Sequence, residues 1–378
     1  MAHDIDQRLK ALNSRRRGTD RIAVLSADAA VDVLIKRLVE EAYSKRAPGL
    51  RHTEYVLGAM QAVDPDYTRI SIEEAERVGK QILGGLRSKG LSAEFRLQGS
   101  VPCDIHIRGV SDVDLLVIED RYFRYATEGI RAQRGDYSNP VSYDTLIALG
   151  DLRTYCEEIL SDAYPATNVD KTGAKAIKIS GGSLRRPVDV VPSNWFDTPA
   201  FQLSARETDR GIEILDKTTP ERVLNTPFLH IERIGAHDLR SGGGLKKAIR
   251  LCKNVKADAE DEGTKIKLSS FDIASAMWHA DLNALNVSVA HELAILEETQ
   301  RHLDFLARRR DYAATLQVPD GTRCVFDTDE KFEALIQLSL EIDDLAEKVA
   351  REQARFASFV TATPDSVKDI LRRSYIPG

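Results

Sequence analysis

Apolar and polar positions change period along the chain, and the changes divide it. Residues 1–20 are polar and basic and predict a frayed start. "SADAAVDVLIKRLVEEAYSK" (Ser26 to Lys45) spaces its apolar residues as a helix does, with Ser26 placed as an N-cap. "RHTEYVLGAM" predicts a further short helix. "SIEEAERVGKQILGGLRSKG" (Ser71 to Gly90) predicts a longer one, with Ser71 and Glu74 at capping-box spacing and Gly90 as the stop. The period then shortens. "LSAEFRLQG" alternates as a strand, and "DVDLLVIED" is a strand of the kind buried on both faces. A helical stretch from Ser142 to Ala163 is followed by two short strands, "AKAIKIS" and "RPVDVVP", joined as a hairpin by "GGSLR", and then by the strand "GIEILD". Beyond Asp216 the pattern is helical almost throughout: Pro227–Arg240, Gly244–Ala259, Ser270–Ala280, Val289–Ala314, Glu330–Ser358 and Pro364–Arg373, interrupted by the turn "VPDGTRCVFDTD". The expectation is an α+β chain of two lobes. Residues 1–70 would supply N-terminal helices packing on the core, 71–216 a small mixed sheet with helices, and 217–378 a helical lobe with a short tail.

One strand contradicts its surroundings. Asp112 and Asp114 flank Val113 and open the apolar run Val113-Leu115-Leu116-Val117-Ile118. Residues i and i+2 of a strand point the same way, so both carboxylates leave one face of an element that is otherwise core. A third aspartate, Asp189, sits in the apolar strand "RRPVDVVPS". Three carboxylates on adjacent strands repel one another unless a cation neutralises them. Magnesium suits such a site, because it favours carboxylate oxygens and often shares them with substrate phosphates. Two such ions about 4 Å apart can activate an attacking hydroxyl and stabilise a leaving oxygen in phosphoryl transfer. Twelve residues before Asp112, Ser100 follows Gly99 at the end of a strand. A glycine there lets the backbone approach a phosphate, and the exposed amides and the Ser100 hydroxyl can bind its oxygens.

Composition limits the alternatives. At 378 residues, 42% hydrophobic and 30% charged, the chain is an ordinary globular protein large enough for two lobes. A net charge of -6 argues against a general nucleic-acid binder, though one phosphate pocket needs only a few basic residues. Cys103, Cys156, Cys252 and Cys324 lie far apart without a CxxC pair, which fits a reduced cytosol and neither a disulfide framework nor a zinc knuckle. "HELAILEETQRH" lacks the second histidine of a zinc-protease helix. The start has no apolar signal region, and no apolar run approaches the roughly 20 residues of a membrane span, so a cytoplasmic protein is expected.

Gly99-Ser100, Asp112-Val113-Asp114 and a distant Asp189 in an apolar strand together resemble the polymerase-β-like nucleotidyltransferases. More closely, "GSVPCDIHIRGVSDVDLLV" and "VDVVPS" resemble the bacterial cGAS/DncV-like nucleotidyltransferases, relatives of oligoadenylate synthase, with His106 where a threonine is common. The resemblance implies that Asp112, Asp114 and Asp189 hold Mg²⁺, with Mn²⁺ as a substitute, and that Gly99 and Ser100 hold the donor triphosphate. Asp189 would also assist deprotonation of the acceptor hydroxyl. "LKKAIRLCKNVK" resembles the family's helix that carries a lysine near the phosphates, which places Lys253 there. "IKLSSFDIASAM" resembles its serine-aromatic pair, which makes Ser270 a triphosphate contact and sets Phe271 beside it.

Simpler roles exist for several of these residues. Lys253 on an amphipathic helix could be a solvated surface residue, Ser270 an N-cap and Phe271 a core side chain. "SGGGLKK" lacks P-loop spacing and reads as a link between helices. The implied activity is synthesis of a cyclic di- or trinucleotide messenger from nucleoside triphosphates in anti-phage (CBASS) signalling. The product would act on a downstream effector, and no duplex nucleic acid is expected as a partner. The alternatives are nucleotide addition to RNA ends or to a protein, and a non-catalytic nucleotide-binding scaffold. "RRSYIPG" ends at Gly378, where a ubiquitin-transfer-like partner of some such operons would act, if the tail is not simply frayed.

Overall fold

The computed structural model describes residues 4–17, 42–107, 112–354 and 364–378. Its helices and strands, in chain order, begin with α1 (Ile5–Arg17), α2 (Ala42–Arg46), α3 (Arg51–Met60) and α4 (Pro65–Ser88). The sheet region follows with β1 (Ala93–Gln98), β2 (Val113–Tyr125), α5 (Ile130–Gln133), α6 (Thr145–Ala163), β3 (Asn168–Asp170), β4 (Ile177–Ser180), β5 (Val188–Asp197), α7 (Pro199–Ser204), β6 (Gly211–Asp216) and β7 (Glu221–Asn225). The rest is helical: α8 (Pro227–Arg240), α9 (Gly244–Asp261), α10 (Ser270–Trp278), α11 (Leu282–Leu285), α12 (Leu293–Arg308), α13 (Arg310–Ala313), α14 (Asp329–Ala354) and α15 (Pro364–Arg373). The helix expected over Ser26–Lys45 is seen only as α2, its residues 26–41 lying outside the described ones. The same holds for 355–358 of the helix expected to reach Ser358.

The sheet is mixed and runs β1-β2-β5-β4-β3, with β6 pairing β5 and β7 pairing β6. β2 and β5 are parallel at its centre, flanked by antiparallel partners. β5 is long enough to hold two neighbours on one edge: β4 pairs with Val188–Val190 and β6 with Ser193–Phe196. Alternation divides the apolar residues between the two faces. Val113, Leu115 and Val117 of β2 and Val188 and Val190 of β5 pack with Val78, Ile82 and Leu86 of α4 and with Leu149, Leu152 and Leu160 of α6. Leu116, Ile118 and Val191, of the opposite parity, form a separate cluster with Trp195, Ile212 and Ile214. Both faces are covered, which is why "LLVI" (Leu115 to Ile118) has no polar position.

Several boundaries differ from the sequence pattern. α4 starts at Pro65, one turn and more before Ser71, because Asp64 caps it by accepting from the amides of Asp66 and Tyr67. Ser71 is therefore inside the helix, donating to the Tyr67 carbonyl (2.8 Å), and Glu74 accepts from the Arg185 amide (2.8 Å) instead of closing a capping box. α6 starts at Thr145 for the same kind of reason, with Asp144 as its cap. The expected frayed start is a helix. Arg8 of α1 reaches Glu262 and Glu341, and Arg15 reaches Asp258, while Leu9 and Leu12 are buried. These residues join one hydrophobic cluster with Tyr55–Leu57 of α3 and with the helices that follow the sheet, so the first helices pack with the C-terminal lobe. β7 is a strand the helical reading passed over. The tail is held too. Ile376 is buried, its amide donates to Ala290 O (2.8 Å), and Arg46 Nε donates to Pro377 O (2.8 Å). Among the described residues no helix is long and apolar enough to cross a membrane, and all four cysteines are free.

Leu115 is fully buried at the centre of the sheet. Leu115→Ala is expected to cost about 2–5 kcal/mol, visible as a lower urea midpoint at unchanged slope; a midpoint equal to wild type would contradict this packing.

Candidate active site

The parity that buries Leu115 and Val190 on one face sends Asp114 and Asp189 to the other. They are direct partners across the parallel pair, and Gln98 of β1 and Lys178 of β4 extend the same row to either side. Asp112, two residues before Asp114, is ion-paired with Lys178. Burial raises Asp114 to about 7, and the charges of Asp189 and Asp112 add to the shift while Lys253 opposes it. Burial likewise raises Asp189 to about 6, with Asp112 adding and Lys178 opposing. The three carboxylates therefore feel one another, as the sequence expects.

Gly99 ends β1 against this row with φ +80°, in the left-handed region. A Cβ there would overlap the Asp114 carboxylate. Both the backbone angle and the space require glycine. The turn after it is closed by Asp104 N to Val101 O and Ile105 N to Ser100 O, each 3.0 Å. His106 is buried, with Nε2 3.0 Å from Thr68 Oγ1, and burial lowers it to about 4, so it is neutral near pH 7.

α9 supplies the opposing wall. Lys253 is 3% exposed, and its Nζ donates to Ile105 O at 2.8 Å. It is not a solvated surface residue. Burial lowers it to about 7, with Cys103 and Asp114 favouring its charged form and Arg250 opposing it. Arg250, one turn earlier, donates to Met60 O (2.9 Å) and Asp104 O (2.7 Å). Lys246 stands 3.7 Å from Asp104 Oδ2. The sequence reading missed Lys178, Lys246 and Arg250. The i, i+4, i+7 spacing of Lys246, Arg250 and Lys253 in "LKKAIRLCKNVK" places the last three on one helix face and was the available signal.

Ser270 is not brought to the aspartates by any of these contacts. It is exposed in the first turn of α10, whose N-cap is Ser269 and not Ser270. Ser269 forms the capping box with Asp272. Phe271 is packed against the core and stacks on His230 with centroids 4.4 Å apart. Gly378 is exposed, beyond the anchored Ile376.

Among the described residues no three His, Cys, Asp or Glu side chains converge closely enough to hold a metal ion unaided. The donor set still suits magnesium, which takes one or two carboxylates and completes its shell with water and phosphate. Two half-buried carboxylates in register, each holding its proton more tightly than usual, are groups that a divalent cation would relieve.

The fold is that of the polymerase-β-like nucleotidyltransferases. In fold, the chain matches the structure of a STING-associated CdnE c-di-GMP synthase from Flavobacteriaceae sp. with TM-score 0.73 and 23% identity, over 94% of this chain and 100% of that one. It matches the STING-associated CdnE c-di-GMP synthase from Capnocytophaga granulosa with TM-score 0.67 and 27% identity, over 91% of this chain and 97% of that one. No family model matches the sequence. The cyclic dinucleotide synthase CdnE of Yersinia aleksiciae is 44% identical over 358 residues, 91% of this chain and 92% of that protein. The c-di-GMP synthase of Capnocytophaga granulosa is 32% identical over 76% of this chain and 85% of that protein. With that similarity along nearly its whole length, the chain belongs to the bacterial cGAS/DncV-like nucleotidyltransferases, the family of cyclic oligonucleotide synthases.

Two outcomes follow from this geometry. Gly99→Ala is expected to push the Asp114 carboxylate aside and to lower both melting temperature and turnover, whereas a variant with wild-type values would show that the turn tolerates a side chain. In divalent-free buffer, Asp114 holds its proton in the folded chain up to about 7 against an ordinary value of 3.8. The native state then binds more protons than the unfolded one across that window, so stability falls as pH rises through it. Asp114→Asn should flatten that fall in urea denaturation between about pH 5 and pH 7; an unchanged slope would mean that Asp114 does not carry it.

Proposed function

We propose that this chain joins nucleoside triphosphates into a cyclic dinucleotide. The observation that carries the reading is the register that sets Asp114 opposite Asp189 beside the Gly99 turn. In the proposed reaction a ribose hydroxyl of one nucleotide attacks the α-phosphorus of another. The new oxygen–phosphorus bond forms as the bond to the β-phosphate breaks, pyrophosphate leaves, and Asp189 accepts the hydroxyl proton. The Gly99 and Ser100 amides and the Ser100 hydroxyl orient the donor triphosphate, and Lys253 comes against the end of that turn from α9 through Ile105 O. A second transfer, with the linear product turned round, closes the ring. Asp112, Asp114 and Asp189 would hold Mg²⁺ or Mn²⁺, which when bound neutralises the carboxylates and polarises the phosphates. The remainder of the rate comes from positioning and from preorganised charge.

The relatives named as c-di-GMP synthases make a guanine product the first to seek. We place the activity in anti-phage signalling, with the product acting on a downstream effector. Conjugation at Gly378 belongs to the same proposal, and it would require the tail to leave the pocket of Ile376 for a partner to grip more than the last residue. Intact-mass analysis after coexpression with such a partner tests it, and an unmodified mass would remove it.

The decisive experiment incubates the protein with the four ribonucleoside triphosphates and Mg²⁺ or Mn²⁺, then phosphatase, and identifies surviving species by mass spectrometry. A phosphatase-resistant cyclic mass is expected from the wild type. The Asp112→Asn, Asp114→Asn double variant should lose at least two orders of magnitude of it. Equal yields from the two would overturn the assignment of these aspartates. Extension of RNA or labelling of a protein in place of a cyclic product would overturn the reaction.

A further inference from the structure

Arg250 bridges three elements distant in sequence. The residue is 5% exposed, and burial favours its neutral form, opposed by Asp104 and Asp238. Nε donates to Met60 O at 2.9 Å, the last residue of α3. That carbonyl is one of those an α-helix leaves without a partner of its own at its C-terminus. Four residues on, Asn254 Nδ2 takes the adjacent Ala59 O at 3.0 Å, so α9 caps α3 from the side. The other arm of Arg250, Nη1, donates to Asp104 O at 2.7 Å.

Asp104 is one of two non-glycine residues with positive φ among those described, at +54°. Side chains seldom adopt that region, and one that does is held there by its surroundings. Here the holding groups come from α9. Arg250 binds the Asp104 carbonyl, Arg250 Nη1 and Lys246 Nζ each lie 3.7 Å from its Oδ2, and Lys253 binds the next carbonyl, Ile105 O. Cys103 and Ile105 are buried in the same cluster as Ile249 and Cys252 of α9. The far end of the Gly99-Ser100 turn is thus fixed to the helical lobe, while its near end continues the sheet strand that faces Asp114.

We infer that Arg250 is a positioning residue for the phosphate-binding turn, setting the Ser100 amide and hydroxyl relative to Asp114 through Asp104. The inference rests on the proposed reaction for its kinetic consequence only. Its structural consequence, order in residues 99–107, does not depend on that reading. A lysine cannot replace Arg250, because one ammonium lacks the planar fork that serves acceptors on two separate elements.

The test compares wild type with Arg250→Lys, Arg250→Met, Asp104→Ala and Asp104→Gly. Amide hydrogen exchange should quicken across 99–107 in both Arg250 variants, with little change in the sheet. KM for the donor triphosphate should rise, and kcat/KM fall on the order of 10- to 100-fold, as a displaced binding group requires. Asp104→Ala should do the same, and Asp104→Gly should recover much of the loss, since glycine accepts the left-handed backbone. A general loss of stability would quicken exchange everywhere and not across 99–107 alone. Wild-type exchange over 99–107 in a folded Arg250→Met protein would overturn the inference, whether or not any cyclic product is found. If that variant does not fold, equal KM and exchange for Asp104→Ala and Asp104→Gly would overturn it. A wild-type enzyme without product under every condition would instead count against the proposed reaction, and the exchange comparison would still decide the role of Arg250.

Discussion

The repulsion between Asp114 and Asp189 is the constraint from which the site is built. Parallel pairing of β2 with β5 sets the two carboxylates side by side, and the apolar residues on the opposite parity leave that register no freedom to slip. A one-residue shift would turn Leu115 and Val190 away from α4 and α6 and turn the aspartates toward those helices. Packing on the helix-covered face therefore maintains an unfavourable electrostatic arrangement on the other. Lys178 and Lys253 answer it from two sides, one from the neighbouring strand and one from α9. Both aspartates nonetheless keep raised proton affinities.

Much of the sheet was legible because burial on both faces leaves a continuous apolar run, and an aspartate within such a run stands out. Gly99 was legible for a related reason, since a glycine-serine step at a strand end has few uses. What failed to show was structure supported by distant partners. α1 reads as a frayed polar start, yet Arg8 and Arg15 find Glu262, Glu341 and Asp258 more than 240 positions away. No local pattern contains those pairs. β7, "ERVLN", is a partly exposed edge strand whose pairing with β6 supplies what its composition does not. Asp64 outcompeted Ser71 as the start of α4 because Pro65 follows it, and a proline at the first helical position needs no amide partner.

The limits within the site have the same origin. The three aspartates could be grouped from spacing, but Lys178 entered as an unremarkable position in "AKAIKIS" and acquires its place only through the antiparallel register of β4 with β5. A lysine on an amphipathic helix face suits a surface place, and Lys253 is instead buried because α9 turns its side chain onto Ile105 O at the end of the Gly99-Ser100 turn. Ser270 shows the converse. Its neighbour Ser269 takes the capping geometry, which leaves Ser270 exposed and joined to the aspartates by none of the contacts described.

Lys253 and Asp114 also explain why the site spans two lobes. Burial drives the lysine down to about 7 and the carboxyl up to about 7, and each favours the charged form of the other. A polyphosphate brought against the Gly99 turn adds negative charge near Lys253 and raises its proton affinity. Cations attending that polyphosphate lower the affinity of Asp114 for its proton by the same logic. Under the proposed reaction, substrate and its counter-cations would thus favour a lysinium and a carboxylate, each stabilised by what it binds. The sheet supplies the anionic half of this exchange, its own lysine, Lys178, being ion-paired with Asp112. The cationic half is carried by α9, and the Ile105 carbonyl to which Lys253 donates keeps it there before substrate arrives.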